Sequence, residues 1–333
     1  MAARPKRRTP LPLLLAGAAL ALVTGRSLAA DTVLLGSENE AGEYAQGGMD
    51  ACLECHDETE ARPVLSILAT RHGVKADART PIGSAHQCQA CHGPSAAHLE
   101  EPAPGQPRAP VAVSFGPDAP IAPQNEACLA CHEGGGRMNW AGSGHERQNL
   151  ACASCHDAHV QEDPVLRKDI DPMIFARDGQ AKVCFSCHME QRAQVQQRVS
   201  SHPLREGKME CSSCHNPHGS IGPGLLKRPT LNETCYQCHA EKRGPFLWEH
   251  APVREDCSLC HTPHGSNHPV LLRTRVPQLC QQCHMAAFHP STAYTGPDFA
   301  TPRLDIHSLE EGCMNCHSEV HGSNHPSGVR QIR

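Results

Sequence analysis

The feature that most constrains this chain is a five-residue motif, C-x-x-C-H, which occurs ten times. The first cysteines of the ten motifs are Cys52, Cys88, Cys128, Cys152, Cys184, Cys211, Cys235, Cys257, Cys280 and Cys313. The second cysteines are Cys55, Cys91, Cys131, Cys155, Cys187, Cys214, Cys238, Cys260, Cys283 and Cys316. The motifs use all 20 cysteines, so none is left for a disulfide.

This motif is the attachment signature of a c-type haem. Two thiols bond to the porphyrin vinyl groups, and the histidine that follows ligates the iron as the proximal ligand. A single copy is also compatible with half a zinc site or a redox dithiol, but ten copies are not. We therefore predict ten covalently bound haem c groups, with proximal ligands His56, His92, His132, His156, His188, His215, His239, His261, His284 and His317.

The composition agrees with a chain built around cofactors. Aromatic residues make up 3%, and there are 27 Gly and 28 Pro, so a dense core of large side chains is excluded. The predicted fold class is a multihaem cytochrome c that is loop-rich, with short helices, little or no sheet and an extended linear array of ten haems. Short helices are predicted around Leu65–His72 and Met189–Val199.

Residues 1–30 read as a secretory signal peptide. Basic residues precede an apolar run, Leu11–Val23, and small residues lie near Ala29. A retained anchor is the alternative, but the run is short of the roughly 20 residues of a spanning helix. We expect export to the periplasm and no lipid-spanning helix after cleavage. Cleavage removes five basic residues, which takes the formal net charge from −5 to −10 and argues against nucleic acid as a partner.

The motifs are organised in pairs. After a polar lead-in (31–50), residues 51–333 form a decahaem domain of five di-haem units, at about 51–100, 127–160, 183–219, 234–265 and 279–326. Each unit has a first motif, a mid-unit histidine, a second motif and a tail histidine just after it. The repeat is linear, which favours contacts between neighbouring units.

Fourteen histidines lie outside the motifs, enough to give each iron a second, distal ligand. In unit one His72 is preferred over His86, and in unit five His289 and His307 are both candidates. His268 and His325 are extra to the pattern, although His321 and His325 compete. The predicted distal set is His72, His98, His145, His159, His202, His218, His250, His264, His289 and His321.

A tail histidine three residues after a proximal ligand cannot easily reach the opposite face of the same porphyrin, because three residues span about 10 Å. We therefore expect His159, His218 and His264 to serve neighbouring haems. Iron with two histidines is coordinatively closed, and the chain has no C-x-x-C-K variant. This pattern indicates electron transfer and not an enzyme.

Three segments resemble the MtrA/DmsE family of decahaem cytochromes: TCYQCHAEKRGPFLWEHAPV (234–253), QLCQQCH (278–284) and VHGSNHPSG (320–328). The resemblance implies a bis-histidine haem wire inserted in an MtrB-like outer-membrane β-barrel porin. It also implies electron flow between periplasmic donors and extracellular acceptors, either metal oxides or an extracellular multihaem cytochrome. The family match at FHPSTAY (288–294) favours His289 over His307.

Two other functions remain open at this point. One is a soluble periplasmic electron shuttle, or a donor subunit to a terminal reductase, and co-purification with a porin would distinguish it from a conduit. The other is an enzyme that reduces a small molecule at an open haem. That function requires at least one high-spin iron that binds CO.

Overall fold

The computed structural model describes residues 42–57, 64–159, 179–284 and 312–332. These residues belong to one compact unit, Gly42–Arg333. The predicted signal peptide, most of the lead-in and the candidate ligands His289 and His307 lie outside the described residues.

The described residues form short helices joined by turns and loops. The α-helices are Gly48–Leu53, Gln89–His92, Ala96–Leu99, Ile121–His132, Gly144–Arg147, Gln180–Phe185, Met189–Gln197, Leu231–Cys235, Ala251–Glu255, Gln278–Gln281 and Cys313–Cys316. The 3₁₀ helices are Val64–Ala69, Arg71–Gly73, Gly135–Arg137, Cys152–Ser154, Cys211–Ser213, Pro223–Leu225, Ala240–Lys242, Cys257–Leu259 and Pro269–Leu271.

Many of these helices coincide with a motif, because the C-x-x-C-H spacing suits one helical turn. In the described motifs the histidine N–H donates to the carbonyl oxygen of the first cysteine, as from His261 to Cys257 at 3.0 Å and from His317 to Cys313 at 2.8 Å. Residues three and four apart share a helix face. One turn therefore presents both thiols and the imidazole on the same side.

The two predicted helices differ from the structure in detail. Leu65–His72 is two 3₁₀ segments, separated at Thr70, whose extended backbone (φ −93°, ψ 173°) interrupts the helix while its side chain accepts from the His72 N–H. The helix predicted at Met189–Val199 ends at Gln197. It ends there because Arg198 is extended and Ser200 pairs with Ser266 in an isolated bridge.

Within the described ranges the structure has isolated β-bridges and no sheet. The bridges are Ser200 with Ser266, His215 with Leu226, Trp248 with Ser323, and His261 with Leu272. None of the helices in these same ranges has the length and apolar character needed to cross a membrane.

Few apolar side chains are buried in the part of the chain that the structure describes. They are Met49, Ile82, Ala151, Phe185 and Val195. Such a small set cannot support a fold of this size by hydrophobic burial alone. The interior is instead a large cavity, whose lining residues define the candidate site.

Candidate haem-binding site

One continuous cavity of about 5010 Å³ runs through the described part of the chain. The first cysteine and the proximal histidine of all ten motifs line it, and so do the nine described members of the predicted distal set. The volume corresponds to about 500 Å³ for each motif, within the roughly 300–1,000 Å³ typical of a cofactor site.

Nine pairs of imidazole rings face each other across this cavity. Each pair joins one proximal histidine to one member of the predicted distal set, with ring centroids 5.9–6.4 Å apart. The pairs are His56–His98, His72–His132, His92–His159, His145–His188, His156–His218, His202–His239, His215–His264, His250–His284 and His261–His321.

The pairs follow a rule that connects neighbouring units. A mid-unit histidine lies against the proximal histidine of the next unit's first motif, as His202 does with His239. A tail histidine lies against the proximal histidine of the preceding unit's second motif, as His264 does with His215. Each junction between units is therefore crossed by imidazoles in both directions.

The first unit departs from this rule, since residues 1–51 contain no earlier motif. Its tail histidine, His98, has no earlier second motif to serve and instead pairs with His56 of its own unit, at 6.2 Å. In the fifth unit, the remaining proximal histidine is His317. The remaining member of the predicted distal set, His289, lies outside the described residues.

Backbone carbonyls orient many of these imidazoles. The Nδ1–H donates to a main-chain oxygen at 2.6–3.2 Å in His92, His98, His145, His159, His202, His215, His250, His261 and His317. Such a bond fixes the tautomer and leaves Nε2 unprotonated, as in metal-bound histidines generally.

Three of these carbonyls belong to a repeated contact between units. The mid-unit histidines His145, His202 and His250 donate to the oxygens of Pro217, Pro263 and Val320. Each acceptor immediately precedes the tail histidine of the next unit. The tail loop of each of these units therefore supplies the tail imidazole of one pair. Through the carbonyl oxygen just before it, the same loop orients the mid-unit imidazole of another pair.

Burial favours the neutral imidazole at three of the tail histidines. Desolvation is the main cause that lowers the pKa of His218, His264 and His321 below the ordinary value, and it acts in the same way on the proximal His92. The neutral form is the one that coordinates a metal.

The histidines judged extra from the sequence lie elsewhere. His86 stacks on Tyr44, with ring centroids 4.0 Å apart, and does not compete with His72 for His132. His325 accepts at Nδ1 from the backbone N–H of Ser327, at 3.2 Å. Neither these two nor His268 line the cavity.

The cysteines also come together in a regular way. Within a unit the two first cysteines are in contact: a hydrogen bond between the paired thiols raises the pKa of Cys184 and lowers that of Cys211. The same hydrogen bond joins Cys128 to Cys152 and Cys235 to Cys257, and it lowers the pKa of Cys152 and Cys257 to about 7.

In the outer units burial is the larger cause, and it raises the pKa of Cys88 and Cys280 to about 11. Repulsion and a hydrogen bond from the partner first cysteines, Cys52 and Cys313, contribute as well. The contact between first cysteines is therefore present in all five units.

Second cysteines approach each other between units. Burial raises the pKa of Cys91, Cys214 and Cys260, and the next cause is repulsion from a second cysteine in the following unit. Those neighbours are Cys131, Cys238 and Cys283. First cysteines thus come together within all five units, and second cysteines lie near each other at three of the four junctions between units.

A set of buried amides was missed by the sequence analysis. Asn232 accepts from the Cys257 N–H at 2.8 Å and donates to the oxygens of Val253 and Arg254. Asn125 makes the equivalent bonds to Cys152 and Leu150. The sequence contains a pattern that could have predicted these bonds. The four residues N-E-x-C occur at the first motif of both units, at 125–128 and 232–235.

The donor set fits haem c at the described sites: two thiols, a proximal imidazole and, across a gap, a second imidazole. Two imidazoles bound to one ion by metal–nitrogen bonds of about 2.0 Å place their ring centroids about 6 Å apart, which is the observed spacing. The fold and the cavity therefore define a multihaem c-type cytochrome.

Comparisons with known proteins support this class of protein. Residues 202–244 and 250–289 match the family model "Doubled CXXCH motif", and residues 88–175 match "Cytochrome c-type protein NrfB-like". The multiheme cytochrome MtrA of Shewanella baltica (strain OS185) is 47% identical over 294 residues, covering 86% of this chain and 82% of that protein. The chain belongs to the MtrA family of multihaem cytochromes.

The chain is also similar to NrfB proteins, over a smaller part of its length. The cytochrome c-type protein NrfB of Escherichia coli O6:H1 is 30% identical over 46% of this chain and 72% of its own length. That of Haemophilus influenzae is 33% identical over 36% of this chain and 52% of its own length. These relatives support the same class, an electron-transfer protein with covalently bound haem.

Proposed function

We propose that this chain is an electron conduit with ten haem c groups, each held by two histidines, that crosses the outer membrane inside a β-barrel porin. It would connect periplasmic donors to extracellular acceptors, either metal oxides or an extracellular multihaem cytochrome. The observation that carries the proposal is the set of nine facing imidazole pairs. Haem c, when bound, supplies a one-electron iron couple.

The twenty motif cysteines would hold the porphyrins, and the ten motif histidines would be the proximal ligands. Ring spacing supports the assignment of all nine described distal candidates. Nδ1 bonds to main-chain oxygens support it further for His98, His145, His159, His202 and His250, and a lowered pKa supports it for His218, His264 and His321. For the tenth site, a mid-unit histidine with no following unit mirrors His98, which has no preceding unit. This symmetry favours His289 as the partner of His317, and the doubled-motif match ends at that residue.

The chain's own residues make the array continuous. Contacts between first cysteines connect the two attachment sites of a unit, and second cysteines lie near each other at the junctions of units one and two, three and four, and four and five. These contacts lead from one motif to the next in sequence order. Two imidazoles at each site leave no ligand position for a substrate, so we propose electron transfer and not catalysis.

The porin proposal rests on the family and on the polarity of the chain. A loop-rich backbone exposes polar groups that lipid cannot satisfy, whereas a large barrel has a polar interior. The proposed location is therefore the periplasm and the outer membrane, after export and removal of residues 1–30. An MtrB-like porin is the expected partner, and periplasmic electron donors would reduce the chain.

Mild-detergent extraction of intact cells tests this proposal. The expected result is that the chain fractionates with the outer membrane and co-purifies with a β-barrel protein. Recovery as a free periplasmic monomer, with no barrel at any detergent concentration, would contradict the conduit. That outcome would favour the alternative, a soluble periplasmic shuttle or a donor subunit to a terminal reductase.

A further inference from the structure

One position in the repeat carries an unusual residue in the fourth unit. The residue two places before the mid-unit histidine is Thr70, Ser143 and Ser200 in the first three units, and it is Trp248 in the fourth. The chain has only two tryptophans. A hydroxyl has thus been replaced by an indole at the junction with the last unit.

Trp248 joins unit four to the tail loop of unit five, residues 320–326. Its main chain exchanges two hydrogen bonds with Ser323, both at 2.9 Å. Its indole Nε1–H donates to the main-chain oxygen of His325, at 2.9 Å. The indole bond has no equivalent at Ser200, whose hydroxyl accepts from the Leu271 N–H at 3.0 Å.

Residues next to Trp248 add to this contact. The Leu247 N–H donates to the Asn324 side chain at 2.9 Å. The Phe246 ring lies where a Cβ on Gly322 would be, so the loop packs directly against it. The His250 Nδ1–H donates to the Val320 oxygen at 2.9 Å.

This group of hydrogen bonds and packing contacts lies at the junction between the last two units. An internal unit of a repeat protein is held by neighbours on both sides, whereas a terminal unit is held on one side only. Residues 318–333 contain no further motif, so unit five is the last unit in this sequence. Its tail loop nevertheless has to hold His321 against His261, with ring centroids 6.2 Å apart and planes at 13°.

We propose that Trp248 is a positioning residue that holds the tail loop of unit five against unit four. By holding residues 320–326 it keeps His321 opposite His261 and, through Val320, keeps His250 opposite His284, at 6.0 Å. This role rests on the proposed function, because it assumes that these histidines are the axial ligands. Without the indole bond, the tail loop moves away and His321 no longer closes the second side of its site.

The test compares three variants of the haem-loaded protein: Trp248→Ser, Trp248→Phe and Leu247→Ser. Trp248→Ser gives the junction the residue found at Ser200, and Trp248→Phe removes only the N–H while keeping a ring. Leu247→Ser is the matched control, since the Leu247 side chain is 59% exposed and its bond to Asn324 uses the main chain. CO binding and electron paramagnetic resonance report open and low-spin iron.

In Trp248→Ser we expect a CO-reactive fraction of about one tenth to two tenths of the haem, with a matching loss of low-spin signal. Trp248→Phe should give a smaller fraction of the same kind, and Leu247→Ser should match the unsubstituted protein. If the Trp248→Ser protein does not accumulate in cells, the CO binding of the Trp248→Phe protein tests the proposal. Low-spin spectra without CO binding in the tryptophan variants would overturn the role.

A CO-reactive fraction already present in the unsubstituted protein would have a different meaning. It would contradict the two-histidine assignment of the proposed function, and with it this role for Trp248. A fully low-spin unsubstituted protein together with unaltered variants would contradict only the role of Trp248.

Discussion

At the scale of residues, the sequence CHTPHGSNHP (260–269) contains three histidines that lie in three different environments. His261 pairs with His321, and His264 pairs with His215. His268 lies outside the cavity lining. Two histidines three residues apart therefore face different partners, because the chain between them is too short to pass around a porphyrin.

This difference predicts contrasting effects of two substitutions in one loop. His264→Ala should open one site in ten, so about one tenth of the haem should become high-spin and bind CO. His268→Ala should leave the protein fully low-spin. CO difference spectra of the two purified proteins measure this directly, and equal CO binding by both variants would be incompatible with the pairing.

The sequence predicted different roles for these histidines, and these roles stay predictions, but it did not predict which histidines pair. Their separation depends on local spacing and on a repeat that is visible along the chain. The partner of His264 is His215, in another unit, and no local feature of the sequence contains that contact. The loops that cross between units, and not any local pattern, bring these imidazoles together.

At the scale of elements, short helices replace a core, and buried amides hold them together. Asn232 is 7% exposed and connects the helix Leu231–Cys235 to the start of the second motif at Cys257. Its bonds satisfy one N–H and two carbonyl oxygens. A backbone group left buried without a partner costs about 1–3 kcal/mol.

Asn232→Ala should therefore lower the free energy of unfolding by about 1–3 kcal/mol, with no loss of haem. Denaturant unfolding followed at the haem absorption band measures the change. Asn267→Ala provides a matched control, since Asn267 is an exposed asparagine in the same unit's tail loop. A loss of stability as large in Asn267→Ala as in Asn232→Ala would show that the amide bonds are not the cause.

The elements were predictable in kind but less so in detail. The low aromatic content and the motif spacing predicted a loop-rich fold with short helices and little or no sheet, and the described ranges confirm this. The 3₁₀ form of Val64–Ala69 and the end of the helix at Gln197 were not predicted. The end at Gln197 depends on a long-range contact, the Ser200–Ser266 bridge, whereas the break at Thr70 is a local bond between its hydroxyl and the His72 N–H.

At the scale of the whole molecule, contacts between units connect neighbours in the repeat. His156, His215 and His261 each pair with the tail histidine of the next unit. The chain thus has the character of a repeat protein, in which each unit is stabilised by the adjacent ones. Loss of one cofactor should then have a local effect.

Removing one haem attachment tests this organisation. The double variant Cys257→Ser, Cys260→Ser leaves the second motif of unit four without thiols, so His261 and His321 lose what connects them. We expect hydrogen exchange to accelerate in units four and five and in the loop at 263–272, which contacts unit three. Units one and two should keep their protection, since local opening follows the contacts that are lost.

The mirrored variant, Cys88→Ser with Cys91→Ser, serves as the control at the other end of the chain. It removes the thiols beside His92, whose partner His159 belongs to unit two. Exchange should accelerate in units one and two and stay slow in units four and five. Accelerated exchange throughout the chain in either variant would mean that the ten sites fold as one cooperative body, because a linear array transmits the loss of one site only to its neighbours.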